Sequence, residues 1–429
     1  VSAYLDHAAT SPTRPEVIEA VREAMGQVGN PSSLHAAGRS ARRAVEEARE
    51  DIADALGARP SEVLFTSGGT ESDNLAVKGL FRHASDADPQ RRRLIVSAVE
   101  HSAVLDSVSA LAEREGAEIT WVNPGRDGLI SVDALEAALQ DPAAGGAGSV
   151  VALVQMWANN ETGVVQPVAD IGALAAAHSV PFFTDAVQAV GKVPVDFAAS
   201  GATLLAATGH KIGGPVGAGL LLATRDAPVQ AISHGGGQER KLRSGTPAMP
   251  LIVGLARAIR LAVDEAAQES TRLAALRDAL LDGVLDAVPG AGVTGAWRRG
   301  DVTRRTPTHA HVLIPGVESD SLLFLLDAAG IACSTGSACH AGVPQPSHVL
   351  LAMGYPQAQA RGALRLTLGW SSTPDDVAAF LAALPDAVER AQRAFDATQA
   401  RASARGDARR TVPRSAPAAG VLPGPPGAS

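Results

Sequence analysis

The sequence predicts an α/β fold: a large domain with a mostly parallel sheet flanked by helices, followed by a smaller α+β C-terminal domain. Three observations carry this. Between about residues 45 and 225, short β-branched or apolar runs alternate with amphipathic segments, the pattern of βα units around a parallel sheet. A long Ala/Leu-rich helical stretch from Leu251 to Val288 then separates this region from a second set of mixed elements. Finally, 46% of the 429 residues are apolar, enough to fill two cores. The expected boundaries are 13–257 for the large domain and 1–12 with 258–395 for the small one. Residues 396–429, rich in Ala, Arg, Pro and Gly with no large apolar residue at any period, are expected to be disordered.

Taken in order, the stretch AVEEAREDIADALGA reads as a packing helix, because Val45, Ala48, Ile52 and Leu56 share one face and Gly57 supplies a left-handed stop. Strands are expected at EVLFT (62–66), LIVSA (94–98), EITWV (118–122), VVALVQM (150–156), PFFT (181–184), TLLAA (203–207) and GAGLLLAT (217–224). Helical patterns fill the gaps between them.

Charge and composition narrow the function. The formal net charge is -8 and no Lys/Arg block is interleaved with aromatics, so direct binding of nucleic acid is not expected. No basic segment followed by an apolar one opens the sequence, and no apolar run approaches the ~18 residues of a membrane span, which favours a cytoplasmic protein. The two cysteines, Cys333 and Cys339, lie together in ACSTGSACHAG and are too few for a disulfide framework. Cys333 ends the apolar run LLFLLDAAGIAC and reads as packing. Cys339 stands in the segment 334–347, whose small residues have little to bury, so a mobile thiol carrier is expected there.

In open α/β sheets ligands collect beyond the carboxyl ends of the strands. After EVLFT comes Ser67-Gly68-Gly69-Thr70-Glu71-Ser72, a turn opening a helix whose free N–H groups suit a phosphate. After LIVSA comes Glu100-His101, after VVALVQM the run Trp157 to Gly163 with Asn159 and Asn160, and after PFFT Asp185 with Gln188 three residues on. Each admits an ordinary reading as a cap or turn residue. TGHKIGGPVGAG after TLLAA is sharper, because a lysine beyond a buried strand and bracketed by glycines is a poor packing choice and a good Schiff-base choice. Pyridoxal phosphate needs such a lysine, an acid against its ring nitrogen, a phosphate cradle and a group over the ring face. Lys211, Asp185, the Ser67–Ser72 turn and His101 supply one each.

The motifs YLDHAAT, FTSGGTESDNLA, VEHSAVLDS, WANNETG, TDAVQAVGK, GHKIGGP, HGGGQERKLRSGT, STGSAC and LRLTLG, in this order over about Tyr4 to Ala394, resemble those of the cysteine desulfurases. These are pyridoxal 5'-phosphate enzymes of the class V aminotransferase fold (the type I fold of PLP-dependent transferases), and the segment around Cys339 is similar to their long-loop NifS/IscS-like branch. The resemblance implies Lys211, Cys339 and His101 as catalytic residues. It implies that Lys211 carries the cofactor, Asp185 pairs with the pyridine nitrogen, Gln188 bonds the phenolic oxygen, and His101 stacks on the ring and shuttles protons. Gly69, Thr70, Thr208 and His210 would hold the phosphate, with Thr246 reaching the phosphate of the neighbouring subunit of a homodimer. Asn160 would contact cofactor and substrate, and Arg365 would grip the substrate carboxylate.

The implied activity converts L-cysteine to L-alanine and leaves a persulfide on Cys339. A sulfur-acceptor protein would follow, an iron–sulfur scaffold or a tRNA-thiolating enzyme. No permanent metal site is expected, with Cys339 at most a transient iron–sulfur ligand. Departures from the family pattern are His340 after the nucleophile and Ser11 after the AAT motif. The alternatives are a selenocysteine lyase or an aminotransferase of the same fold, and a non-enzymatic sulfur-transfer scaffold.

Overall fold

The computed structural model describes residues 3–336 and 346–409, of which 401–409 are described by their backbone alone. Cys339 and His340 lie outside the described residues, as does the stretch 410–429. The strands are β1 (Ala3–Tyr4), β2 (Val63–Thr66), β3 (Arg93–Ser97), β4 (Glu118–Val122), β5 (Val150–Val154), β6 (Phe182–Asp185), β7 (Leu204–Thr208), β8 (Gly219–Ala223), β9 (Gly292–Val293), β10 (His309–Leu313), β11 (Ile331–Ala332) and β12 (Ala363–Thr367).

Seven of them form one sheet in the order β2-β8-β7-β6-β5-β3-β4. All pairings are parallel except those of β8, which runs against both β2 and β7. Two reversals restore direction, so β2 points the same way as β7. The carboxyl ends of β2, β3, β5, β6 and β7 therefore open on one edge, where ligands of open α/β sheets collect.

The side chains alternate between two cores. Val63, Phe65, Ile95, Leu153, Phe182, Leu205 and Leu220 join the core on one face, and Leu64, Leu94, Val96, Val154, Phe183, Leu204 and Leu221 the core on the other. Burial on both faces accounts for the near-continuous apolar runs of these strands. Each fully buried phenylalanine contributes about 1.5–3 kcal/mol. Only the edge strand β4 is partly open.

The helix read around Val45 spans Ala36–Ala55 and buries Val45, Ala48 and Ile52. Its stop is Gly57 at φ 64, where a Cβ would come within 2.5 Å of the Asp196 carboxylate. The stretch Leu251–Val288, expected as one helix, is two: Met249–Asp264 and Ala266–Ala287, with the break at Glu265. There the carboxylate of Glu265 accepts from Arg14 Nη1 at 2.6 Å. The expected boundary at 257/258 falls inside the first of these helices, whose Ala258, Ile259 and Ala262 pack into the sheet core. Leu273, Leu280 and Leu281 of the second join a separate core with Ala3, Leu5, Val312, Leu366 and Phe380.

That second core covers a small sheet in the order β12-β10-β9, antiparallel throughout, and the parallel pair β1-β11. The C-terminal helix runs from Pro374 to Arg409. The expectation of disorder from residue 396 is thus corrected for 396–409, where the alanine-rich sequence extends the helix, alanine being the best helix former. Among the described residues no helix is long and apolar enough to cross a membrane.

Candidate active site

Lys211 ends a single turn, Gly209–Lys211, that follows β7 directly. Its Nζ donates to the carbonyls of Ala8 (2.5 Å) and Ala9 (2.8 Å) from the N-terminal segment. Burial and then the charge of Arg365 lower its pKa to about 8, against the pull of Asp6 and Asp185. An amine so placed is part neutral near pH 8 and ready to condense with a carbonyl. Ser11 supports the turn: its Oγ donates to the Lys211 carbonyl at 3.3 Å and meets His7 Nδ1 at 3.0 Å.

Asp185 closes β6, and its Oδ1 accepts from the Val187 N–H at 2.8 Å. Burial raises its pKa, while His101, that hydrogen bond and Lys211 oppose the rise. Two further carboxyls bear on it through the field. Asp73, buried on the helix Gly69–Ala87, is pushed well above the carboxylate range by burial, Asp185 and Glu100. Glu100 is 0% exposed and is raised to about 8, chiefly by burial, although its Oε1 accepts from Met156 N–H at 2.7 Å. Asp73 Oδ1 and Glu100 Oε2 are buried without a hydrogen-bond partner. Glu100, raised to about 8, therefore holds its proton near neutral pH, burial shifts Asp73 in the same direction, and at Asp185 the nearby His101 and Lys211 work against that rise.

The helix Gly69–Ala87 presents the unpaired N–H groups of its first turn at the same edge. A Cβ on Gly69 would stand 2.8 Å from Val187 Cγ2, and one on Gly68 would lie 3.8 Å from Thr208 Oγ1. Backbone at Gly68–Gly69 and the buried Thr208 hydroxyl thus share a cradle, and Thr70 is exposed beside it. His210 Nδ1 sits 3.3 Å from Thr10 Oγ1, and burial followed by Lys211 and Lys192 lowers its pKa to about 4. His101 caps the helix Ser102–Glu115, its Nδ1 accepting from Ala103 N–H at 3.2 Å, so the ring proton is on Nε2. Burial, with Lys211 and His348, lowers its pKa against Asp185. Thr246 is exposed, on a segment tied to the cradle helix by Arg243 and Glu71, 2.8 Å apart.

Arg365, buried on β12, donates from Nη2 to Asp6 Oδ1 (2.8 Å) and from Nη1 to the Asn160 carbonyl (3.1 Å). Its Nε and the Asn160 Oδ1 are buried without partners, which leaves matched donor and acceptor capacity for an amino-acid ligand. Both anchors of the segment bearing Cys339 join this site. Ser334 exchanges backbone bonds with Arg365, 3.1 and 2.7 Å long. At the other end Ser347 Oγ donates to the Glu161 carboxylate, and His348 Nε2 donates to the Glu100 carbonyl at 3.0 Å. Cys333 is partly buried against the small core, and burial, then Asp6 and Asp327, raise its thiol to about 12.

Gln188 donates from Nε2 to the Ala8 carbonyl at 3.0 Å. The lysine that bonds its Oε1, Lys192, carried no role in the sequence reading, nor did Asp6, Asp73 or Glu161. Lys192 follows Gly191 in the apolar run AVGKVPV, without the strand-end placement and flanking glycines that single out Lys211. A cavity of about 40 Å³ lies between the two lysines, Ser11 and Trp370. A larger hollow of about 770 Å³ is an open groove lined by Arg42, Arg49 and Arg240 and holds none of the strand-end residues. The acid at Asp185, the depressed amine at Lys211 and the glycine cradle fit pyridoxal phosphate.

A family model described as aminotransferase class-V matches residues 3–380. The chain belongs to the class-V aminotransferase family. Within it, this class-V chain is 54% identical over 393 residues to the IscS-like cysteine desulfurase of Mycobacterium tuberculosis, covering 91% of this chain and 98% of that one. Its fold matches the solved structure of a NifS-like protein with a TM-score of 0.80 at 31% identity, over 91% of this chain and all (100%) of the other. A structure titled SspA in complex with cysteine matches with a TM-score of 0.70 at 34% identity, over 85% of this chain and 98% of that one.

Proposed function

We propose that the chain is a pyridoxal 5'-phosphate-dependent cysteine desulfurase that converts L-cysteine to L-alanine and places the sulfur on Cys339 as a persulfide. The substrate's Cβ–S bond breaks with its electron pair going to carbon, which takes up a proton. The Cys339 thiolate forms the new S–S bond, so no outside oxidant or reductant is needed. When bound, the cofactor supplies an electron sink conjugated to the substrate's α-carbon.

This chain's residues do the rest. Lys211 attaches the cofactor and, with its amine lowered to about 8, exchanges protons near neutral pH. Asp185 would pair with the ring nitrogen and Gln188 with the phenolic oxygen. His101, neutral with its proton on Nε2, would cover the ring face. Gly69, Thr70, Thr208 and His210 hold the phosphate, joined by Thr246 of the partner subunit in a homodimer. Arg365 and Asn160 receive the amino acid, with Asp6 fixing the guanidinium.

The observation that carries this reading is the anchoring of the Cys339 segment. Ser334 is bonded to Arg365 and Ser347 to Glu161, one residue from Asn160, so the tether of the thiol starts and ends at the residues that receive substrate. An aminotransferase has no use for a thiol so tethered. The cysteine complex of the SspA relative supports the same ligand class here. The persulfide then passes to an acceptor protein, an iron–sulfur scaffold or a tRNA-thiolating enzyme, in the cytoplasm. The test is Cys339→Ala: alanine and sulfide formation from L-cysteine are lost while the bound cofactor's visible band stays. Full activity in that variant, as a selenocysteine lyase indifferent to the thiol would show with its own substrate, overturns the mechanism.

A further inference from the structure

Lys192 is 8% exposed, in the turn after β6; burial and the cations Lys211 and Arg365 lower its pKa to about 7, and the histidines His7, His210 and His309 feel its charge in turn. Burying an ammonium beside two other cations is costly, and methionine would fill the same stem without that cost. What the lysine gains is one bond, from Nζ to Gln188 Oε1. Gln188 Nε2 in turn donates to the Ala8 carbonyl at 3.0 Å, the oxygen that also accepts from Lys211 Nζ at 2.5 Å.

The two ends of a carboxamide are nearly isosteric, and an unconstrained one flips at little cost. Here its neighbours permit one orientation. A carbonyl has no donor and can face only the amide nitrogen, which fixes the amide at every pH, and the protonated form of Lys192 has no acceptor and can face only the amide oxygen. The nitrogen carries two hydrogens, and Ala8 uses one.

We propose that Lys192 is a positioning residue that locks the Gln188 amide so that its second N–H is aimed at the cofactor's phenolic oxygen. The inference rests on the proposed function for the contact between Gln188 and the cofactor. It makes Lys192, Gln188, Ala8 and Lys211 one hydrogen-bonded chain, in which the ammonium acts on the cofactor through the amide. A bond donated to the phenolic oxygen stabilises its anion and lowers the pH at which the lysine-bound cofactor gives up its proton.

The experiment titrates the visible band of the holoenzyme against pH in Lys192→Met, Lys192→Gln, Gln188→Ala and the Lys192→Met/Gln188→Ala double variant, with thermal midpoints alongside. Lys192→Met is expected to keep the cofactor and melt at or above the wild-type temperature, since a buried charge is gone. Its spectral midpoint rises by about one pH unit, the worth of about one hydrogen bond. Gln188→Ala gives a similar rise, the double variant gives no more than Gln188→Ala alone, and Lys192→Gln, a neutral donor, restores the wild-type midpoint. Lys192→Leu takes the place of Lys192→Met if the latter does not fold. An unchanged midpoint in a folded, cofactor-loaded Lys192→Met overturns the proposal, as does a double variant whose shift is the sum of the singles, because the ammonium would then act by charge alone. Absence of a pH-dependent visible band from the wild-type protein would instead overturn the cofactor reading itself.

Discussion

Removing the positive charge of Arg365 should slow the capture of pyridoxal phosphate by the cofactor-free protein. Capture requires a neutral Lys211, and its pKa of about 8 is held down first by burial and then by Arg365. At pH 7 an amine of pKa 8 is about 9% neutral, against about 0.03% for an ordinary lysine at 10.5, an advantage of about 300-fold. Arg365→Met removes the repelling cation and frees Asp6, whose carboxylate also favours the charged amine. Both changes act in one direction, and a rise of about one unit would cut the neutral fraction at pH 7 about tenfold. The assay follows the visible band after mixing with pyridoxal phosphate between pH 6 and 10. Wild type should accelerate about tenfold per pH unit at first and level off near pH 8, and Arg365→Met should level off later. A wild-type rate that climbs without a break to pH 10 would refute the reasoning, because it would place an ordinary lysine at this position.

Glu100 provides a stability test: it keeps its proton when folded up to about pH 8, whereas the unfolded chain ionises near 4.5, so native stability falls as pH rises between those values. At about 1.4 kcal/mol per pH unit the loss reaches about 5 kcal/mol, and Glu100→Gln should match wild type near pH 5 and exceed it increasingly toward pH 8 in denaturant unfolding; an equal gain at both ends would contradict the buried acid. Alkylation at pH 8 should modify Cys339 and spare Cys333, whose thiol at about 12 has almost no thiolate, and peptide mass analysis checks this. Ser347→Ala, which cuts the bond to Glu161, should lower kcat for alanine formation several-fold while leaving the cofactor's absorbance in place.

The large sheet was legible because most of its strands are buried on both faces and so write themselves as apolar runs, while the partly open edge strand β4 at Glu118–Val122 shows itself by its β-branched and aromatic residues. The break at Glu265 was not, since no glycine or proline marks it and Glu265 keeps helical dihedrals there, while its carboxylate bonds Arg14 some 250 residues away. Site residues carried by strand ends, such as Asp185 and Lys211, followed from topology. Asp6 and Asp73 did not, because their roles arise from partners distant in sequence: Asp6 meets Arg365 across the chain, and Asp73 faces Glu100 and Asp185 only once the sheet has formed. Lys192 lies four residues from Gln188, but a plain packing pattern hides the bond between them.

The account stands most directly on the sulfur itself. Incubating the cofactor-loaded protein with L-cysteine and analysing its peptides by mass, without reductant, should find one extra sulfur atom on the peptide containing Cys339 and none on Cys333, with L-alanine formed alongside. Alanine produced with no sulfur on Cys339, or sulfur found there equally in Lys211→Ala, would contradict it.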